Sequence, residues 1–245
     1  MSLGQVGEFV AETGRGVPEF KTWTVNAMQQ ARRLGVDSMP LGLLIAAFTG
    51  IVLALLANYA LTGAVPLYFV GTLLEKTITL ELTPVLTGLA LAGRVGANIA
   101  AEIGTMRVTE QVDALETLAY DPYAYLVVPR VIAGTLMFPI VVGCAMVVAM
   151  IAGYVAALGI VGLTTAEFEQ GVRLFYGNFD VVYGLVKSAS FGFAVSFIGC
   201  MAGFRAKGGA EGVGRAATNA VVYSAVMILV LDAFWAMTWL QARSH

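Results

Sequence analysis

The sequence predicts an all-α integral membrane protein of about five transmembrane helices, with an N-terminal interfacial amphipathic helix and a short polar helix between two of the crossings. Three observations carry this. Only 12% of the 245 residues are charged, about half the roughly 25% usual in soluble domains. Hydrophobic residues make up 58% and the mean hydropathy is +0.81. The apolar residues also fall in long blocks, several of which reach the ~20 residues a helix needs to cross the hydrocarbon layer.

Residues 1–38 mix charges with Val6, Phe9, Val10, Phe20, Trp23, Val25 and Met28 and end on the basic pair Arg32 and Arg33. That pattern suits a helix lying in the membrane interface; a loosely ordered tail is the alternative. Glu8, Glu12, Glu19 and Lys21, with no central apolar run, give no secretory signal, so the start reads as mature sequence. Residues 41–61 carry no charge and form the clearest span. Residues 65–104 are too long for one crossing at 1.5 Å per residue. They read as a short outer segment, a span from near Leu73 to Gly93, and a helical extension beyond Arg94. Later spans are expected from after Pro129-Arg130 to about Ile160, near 181–204 and near 217–240. A polar loop (Thr164 to Asp180) and a basic loop (Arg205 to Arg215) separate them.

Loop charge sets orientation, because Lys and Arg stay on the cytoplasmic side. An odd number of spans groups the N-terminus, residues 94–130 and the 205–215 loop. That side holds ten Lys and Arg against four on the other, which predicts a cytoplasmic N-terminus and a periplasmic C-terminus. Trp235 and Trp239 suit an outer aromatic belt. Cys144 and Cys200 sit in apolar blocks and read as packing residues. The only histidine, His245, excludes a histidine-based metal or catalytic site within one chain.

Small residues recur every fourth position at Gly88, Ala92, Gly96, Ala100 and Gly104. Such a stripe lets another helix approach closely, either within this chain or in a second copy. Across residues 105–122, Val108, Val112, Leu115 and Ala119 share one helical side, and Glu110, Asp113 and Glu116 another. An intracellular partner could grip such a helix through its apolar edge and carboxylates; a solvated connector is the alternative.

From Glu81 to Arg130 the chain resembles the MlaE/YrbE family of ABC-transporter permeases. The resemblance rests on Ala92-Gly93-Arg94 with Gly96, Ala101-Glu102-Ile103-Gly104 with Met106, Thr109-Glu110-Gln111, Asp121-Pro122 and Pro129-Arg130. It continues through Asp180 to Ser188 and Leu231-Asp232-Phe234, so it covers most of the chain beyond residue 40. It implies a single permease domain over 1–245, working as a homodimer in the inner membrane of Gram-negative bacteria. It also implies cytoplasmic ATPase subunits, which bind the ATP and Mg, and an outer ring of MCE-domain proteins; phospholipids or related lipids are the cargo. By the same resemblance residues 105–121 are the coupling helix on the ATPase, with Arg94, Glu102, Arg107, Glu110, Asp113 and Glu116 at that contact. One position departs from the family: Leu80 stands where an Arg often precedes the residue matching Glu81.

Ionisable residues inside a span are costly and usually face an interior path. Glu81 lies 13 residues before Arg94, about 20 Å along the axis. Pro84 frees backbone groups beside it. Glu81, Leu82 and Pro84 are therefore candidates for a lipid path or gate. The alternative for Glu81 is a buried carboxyl, protonated and bonded to a threonine such as Thr77. Asp232 is a candidate lipid contact or a polar anchor between helices. Asp180 and Lys187, two turns apart, share a face suited to pairing with other helices. The sequence has no GxxxxGK[ST] loop and no nucleophile, base or metal-ligand constellation. A non-catalytic subunit with no cofactor of its own and no nucleic-acid partner is the expectation. A proton-coupled transporter using Glu81 and Asp232, or a membrane scaffold, are the rival readings.

Overall fold

A computed structural model describes residues 3–16, 20–61 and 66–243. Helix is the only regular structure among the described residues. In chain order the helices are α1 (Leu3–Gly16), α2 (Phe20–Leu34), α3 (Met39–Ala60), α4 (Phe69–Val108), α5 (Gln111–Thr117), α6 (Tyr123–Val161), α7 (Thr165–Leu174), α8 (Asn178–Phe204) and α9 (Gly209–Arg243). Five stretches are long and apolar enough to cross a membrane: Asn26–Ala60, Phe69–Val108, Tyr123–Val161, Asn178–Phe204 and Gly209–Thr238. The protein is an all-α, multi-pass membrane protein.

Three boundaries differ from expectation. α6 begins at Tyr123, before Pro129-Arg130, because a π-turn over Tyr123–Val127 opens the helix and Pro129 falls in its early turns. A proline, which has no N–H to give, is tolerated near a helix start and beside an irregular turn such as this one. α9 begins at Gly209, so most of the expected basic loop is helix and only a short turn follows Phe204. At Gly212 a Cβ would run into the Lys207 carbonyl, so a glycine is required for the turn to fold back on α9. The expected continuous acidic helix breaks after Val108: Glu110 turns left-handed (φ 61°) and α5 starts at Gln111. Ala119 (φ 61°) lies beyond α5, so Val108, Val112, Leu115 and Ala119 do not line one helix.

Contacts divide the chain into two compact units. One contains Met39–Ala90 and Pro139–Ser188. Its core is built of small and aliphatic residues, including Ala46, Ala54, Leu74, Ile78 and Ala149. Gly50 of α3 lies against the Ala149 carbonyl of α6, so a methyl group there has no room. Outward, Leu44, Phe48 and Val52 are exposed. A helix apolar all round, with its small residues inside and its large ones outside, is matched to lipid.

In the same unit α7 covers the start of α4. The Thr72 hydroxyl donates to the Gly171 carbonyl at 2.6 Å, and Gly171 lies against the Tyr68 backbone. Thr164 begins α7 as a capping box: its hydroxyl accepts from the Glu167 N–H at 3.3 Å, and its own N–H donates to Glu167 Oε2 at 2.9 Å. Those donors, the backbone N–H first and the Thr164 hydroxyl second, hold the Glu167 carboxyl below its ordinary value near 4.5. A depressed folded pKa means the cap is complete above the unfolded value and is lost as pH falls through the folded one. We expect the Glu167 titration midpoint, followed by carbonyl NMR, to rise part of the way to normal in Thr164→Ala. The backbone donor survives that substitution, so a full return to normal would contradict this account.

The other unit contains the residues up to Ser38, Leu91–Phe138 and Ala189 onward. Here the stripe on α4 finds its partners within the chain. Gly96 faces Val195 and Ser224, and Gly104 faces Ala206 and Val213. Ala92 and Ala100 are fully buried, and Gly203 of α8 lies 3.0 Å from the Ala100 carbonyl by its ideal Cβ. Gly88, in the first unit, is also buried. Phe9 of α1 sits edge-on to Tyr123, Phe197 and Phe204, with centroids 5.2–5.7 Å away. The amphipathic start is thus an anchored helix, although the side chains of Val6, Phe20, Trp23 and Val25 lie outside the described residues. Trp235 donates to Ser190 Oγ at 3.0 Å, and the Trp239 side chain lies outside the described residues. Cys200 is buried as expected; Cys144 is exposed on an outward face of α6.

Candidate functional site

Two turns of α4 and two of α8 place five ionisable side chains together in the Met39–Ala90 and Pro139–Ser188 unit. Lys76 pairs with Asp180, and lies 3.5 Å from the buried Glu75. Lys187 donates to Glu81 Oε2 at 2.7 Å and to the Leu80 carbonyl at 3.2 Å. Its ammonium also lies 5.6 Å from the Tyr183 ring centroid. The two helices run parallel, with the sign of charge exchanged between the two rungs.

Local backbone makes this possible. Lys76 and Glu81 are five residues apart, which on a regular α-helix puts them on different faces. The π-turn Ile78–Leu82 takes up one extra residue, so they stack as an i, i+4 pair would. Asp180 and Lys187, seven apart on α8, match them two turns along. Pro84, buried three residues on, has no N–H to give the Leu80 carbonyl four positions back. The Lys187 ammonium donates to that carbonyl. Gly184, between the two α8 charges, lets α8 reach the π-turn: a Cβ there would press on the Thr79 carbonyl at 2.5 Å.

Burial is uneven across the pair. The Lys187 side chain is 0% exposed and that of Glu81 44%. The ammonium is thus fully enclosed, while the carboxylate it holds is only partly buried. On the same stretch of α4, Leu82 and Leu86 line an apolar cavity of about 420 Å³ with Leu44, Phe48 and Val52 of α3. Glu81 and Pro84 meet α8, at Lys187 and Gly184, whereas Leu82 lies toward α3. Asp232 lies half-buried on α9, in the other unit. Lys76, which sequence reading did not single out, completes the ladder with Asp180 and Lys187. The seven-residue spacing of Asp180 and Lys187 announced the α8 face, but the π-turn hid its counterpart on α4. Leu80 supplies no cation next to Glu81, and the cation comes from Lys187 of α8.

The polar segment forms a separate surface. Arg107 pairs with Asp113 across the break between α4 and α5. Glu102 accepts from Arg130 at 3.1 Å and Arg33 at 3.3 Å; Arg130 is buried and also donates to the Leu126 carbonyl. Arg94 and Glu102 line a cavity with Gln30 and Arg33, whereas Arg107 and Glu116 line another with Phe9, Glu12 and Arg205. The six residues expected at one contact are thus spread over two places. Glu110, Asp113 and Glu116 are exposed, Val112 is buried, and Leu118 and Tyr120 are exposed by 68% and 52%. Sequence reading missed Leu118 and Tyr120 because they follow the end of α5, outside its periodicity.

The profile of the family described as Permease MlaE matches residues 27–238. The chain belongs to the MlaE permease family. α1 and the beginning of α2 precede the matched region. Among MlaE-like relatives, a probable ABC transporter permease protein of Synechocystis sp. is 42% identical over 217 residues, 88% of this chain and 81% of that one. The chloroplastic Protein TRIGALACTOSYLDIACYLGLYCEROL 1 of Arabidopsis thaliana is 35% identical over 207 residues, 84% of this chain and 59% of that one. The Intermembrane phospholipid transport system permease protein MlaE of Haemophilus influenzae is 29% identical over 232 residues, 94% of this chain and 89% of that one.

Proposed function

We propose that this permease is the membrane-spanning subunit of an ATP-driven transporter that moves phospholipids or related lipids between inner and outer membrane. The observation that carries the reading is the Glu81–Lys187 pair set in an apolar span, on the stretch of α4 where Leu82 lines an apolar cavity. A polar step in an apolar wall is what a molecule with both a charged headgroup and acyl chains requires. Glu81 and Lys187 would meet the headgroup, Leu82 and its cavity the chains, and Pro84 keeps the backbone open at that level. Asp232 would be a further contact on α9. An ionisable group kept inside a span despite its cost is a functional candidate by default.

The chain would work as a homodimer in the inner membrane, with cytoplasmic ATPase subunits and an MCE-domain ring, and without a cofactor of its own. The N-terminus would be cytoplasmic and the C-terminus periplasmic, in keeping with the ten-to-four charge count. Consistent with that, Phe9 packs with Tyr123 and Phe204, so the N-terminal helix, the polar segment and the α8–α9 turn share one end of their unit. Residues 105–121 would dock the ATPase.

The test is ATP-driven transfer of a fluorescent phospholipid by the reconstituted complex. Glu81→Gln should assemble normally and transfer about tenfold more slowly, the scale of one charge-assisted contact. Wild-type transfer by an assembled Glu81→Gln complex would remove the role of Glu81. Transfer that persists without ATP but collapses with the proton gradient would favour a secondary transporter.

A further inference from the structure

We propose that the cavity at the α8–α9 turn binds the headgroup of an anionic phospholipid, separately from any transported lipid. Arg205, Lys207 and Arg215 all line this space of about 450 Å³, together with Met201, Asn219 and Tyr223. No carboxylate is among its lining residues. Among the described residues, Arg215 is the member of this trio with an ion pair, to Glu211 four residues back at 3.7 Å with both side chains well exposed. An exposed pair of that kind contributes little, so the cavity keeps most of its positive charge.

The position selects a lipid over a dissolved anion. α8 ends at Phe204 and α9 starts at Gly209, so the cations stand where two apolar spans give way to water. Met201 and the ring of Tyr223 continue the wall downward, and the exposed Val222 and Val226 extend α9 toward the hydrocarbon. A phosphate could lie among the cations, with glycerol hydroxyls toward Asn219 and the Tyr223 hydroxyl, while its acyl chains run along α9. Basic pockets between spans at a membrane face are suited to such headgroups. Gly212, also in the lining, lets the Lys207 backbone close against α9, where a Cβ would meet the Lys207 carbonyl. Nothing in this depends on Glu81 or Lys187.

The experiment is native mass spectrometry of the full chain in detergent, titrated with dioctanoylphosphatidylglycerol or dioctanoylphosphatidylcholine. Phosphatidylglycerol should bind more tightly, and Lys207→Gln with Arg215→Gln should weaken it about tenfold while phosphatidylcholine changes less than about twofold. The charge-preserving pair Lys207→Arg with Arg215→Lys should retain the preference. Lys207→Gln alone, at an exposed turn position, should weaken phosphatidylglycerol about threefold, which keeps the test open if the double variant does not hold together. Unchanged phosphatidylglycerol affinity in a folded variant overturns the proposal. Displacement by millimolar inorganic phosphate would make it a soluble-anion site and overturns the lipid source. Loss of a co-purifying ATPase with lipid affinity intact would reassign the cations to a protein contact and does the same. Failure of the Glu81→Gln transfer test bears on none of these outcomes.

Discussion

Glu81→Leu should destabilise the protein by about 3 kcal/mol, the scale found when one partner of a buried ion pair is removed, and Lys187→Met should cost less. The difference follows from where each charge is left. Lys187 is 0% exposed, so removing the carboxylate takes a partner from an ammonium held in a low-dielectric interior. Glu81 is 44% exposed, so removing the ammonium leaves a carboxylate that is only partly buried. Lys187→Met still costs about 1–2 kcal/mol, because the Leu80 carbonyl loses a donor that Pro84 cannot replace. With both replaced, neither charge of this pair is left behind, and the double variant should be about as stable as Lys187→Met alone. Transport should nevertheless be lost, since the polar step has gone. Thermal unfolding in detergent and ATP-driven lipid transfer, measured on the three variants, check the two halves. A double variant less stable than Glu81→Leu contradicts the electrostatic account; one that assembles and transfers lipid normally contradicts the functional one.

That pair also shows how far the sequence could be read. Span number and class were legible, because hydrocarbon thickness imposes a length that composition reveals at once. Glu81 was legible as a candidate because a carboxylate in an apolar span is costly wherever it points. Its partner was only half legible. Asp180 and Lys187 fall at a regular two-turn spacing, but Lys76 and Glu81 share a face only through the π-turn Ile78–Leu82. A π-turn shifts the register of everything after it and leaves no signature in apolar periodicity. The small-residue stripe posed a different problem. Gly96, Ala100 and Gly104 announced a close helix contact, yet the same pattern serves a neighbour in the chain or in a second copy. The structure gives them α8 and α9. Loop helicity was underestimated where glycine accumulates: α9 starts at Gly209 despite two further glycines, Gly212 and Gly214, in its first turns, because packing outweighs their ~1 kcal/mol propensity cost.

Leu118→Ser with Tyr120→Ser should abolish stable association with the ATPase, weakening it at least about thirtyfold, the ~2 kcal/mol expected of a central apolar anchor. Both side chains project from the end of α5, exposed by 68% and 52%, on a segment whose one buried anchor is Val112. In a chain whose other large exposed apolar side chains mostly belong to spans, an apolar pair next to Glu110, Asp113 and Glu116 needs a different explanation from lipid. A partner that buries it gains the apolar area, and the carboxylates around it steer a basic rim. The acidic residues are not equivalent in this respect. Asp113 is engaged by Arg107, so Asp113→Asn should loosen the α4–α5 break while changing partner affinity less than about threefold. Among the described residues Glu110 and Glu116 form no such pair, and reversing them to lysine should slow association and invert its salt dependence. Co-purification of the ATPase at two ionic strengths measures all of these. If the Leu118 and Tyr120 variant keeps its ATPase while Asp113→Asn loses it, the contact runs along the α4–α5 break, and the apolar tip faces the bilayer.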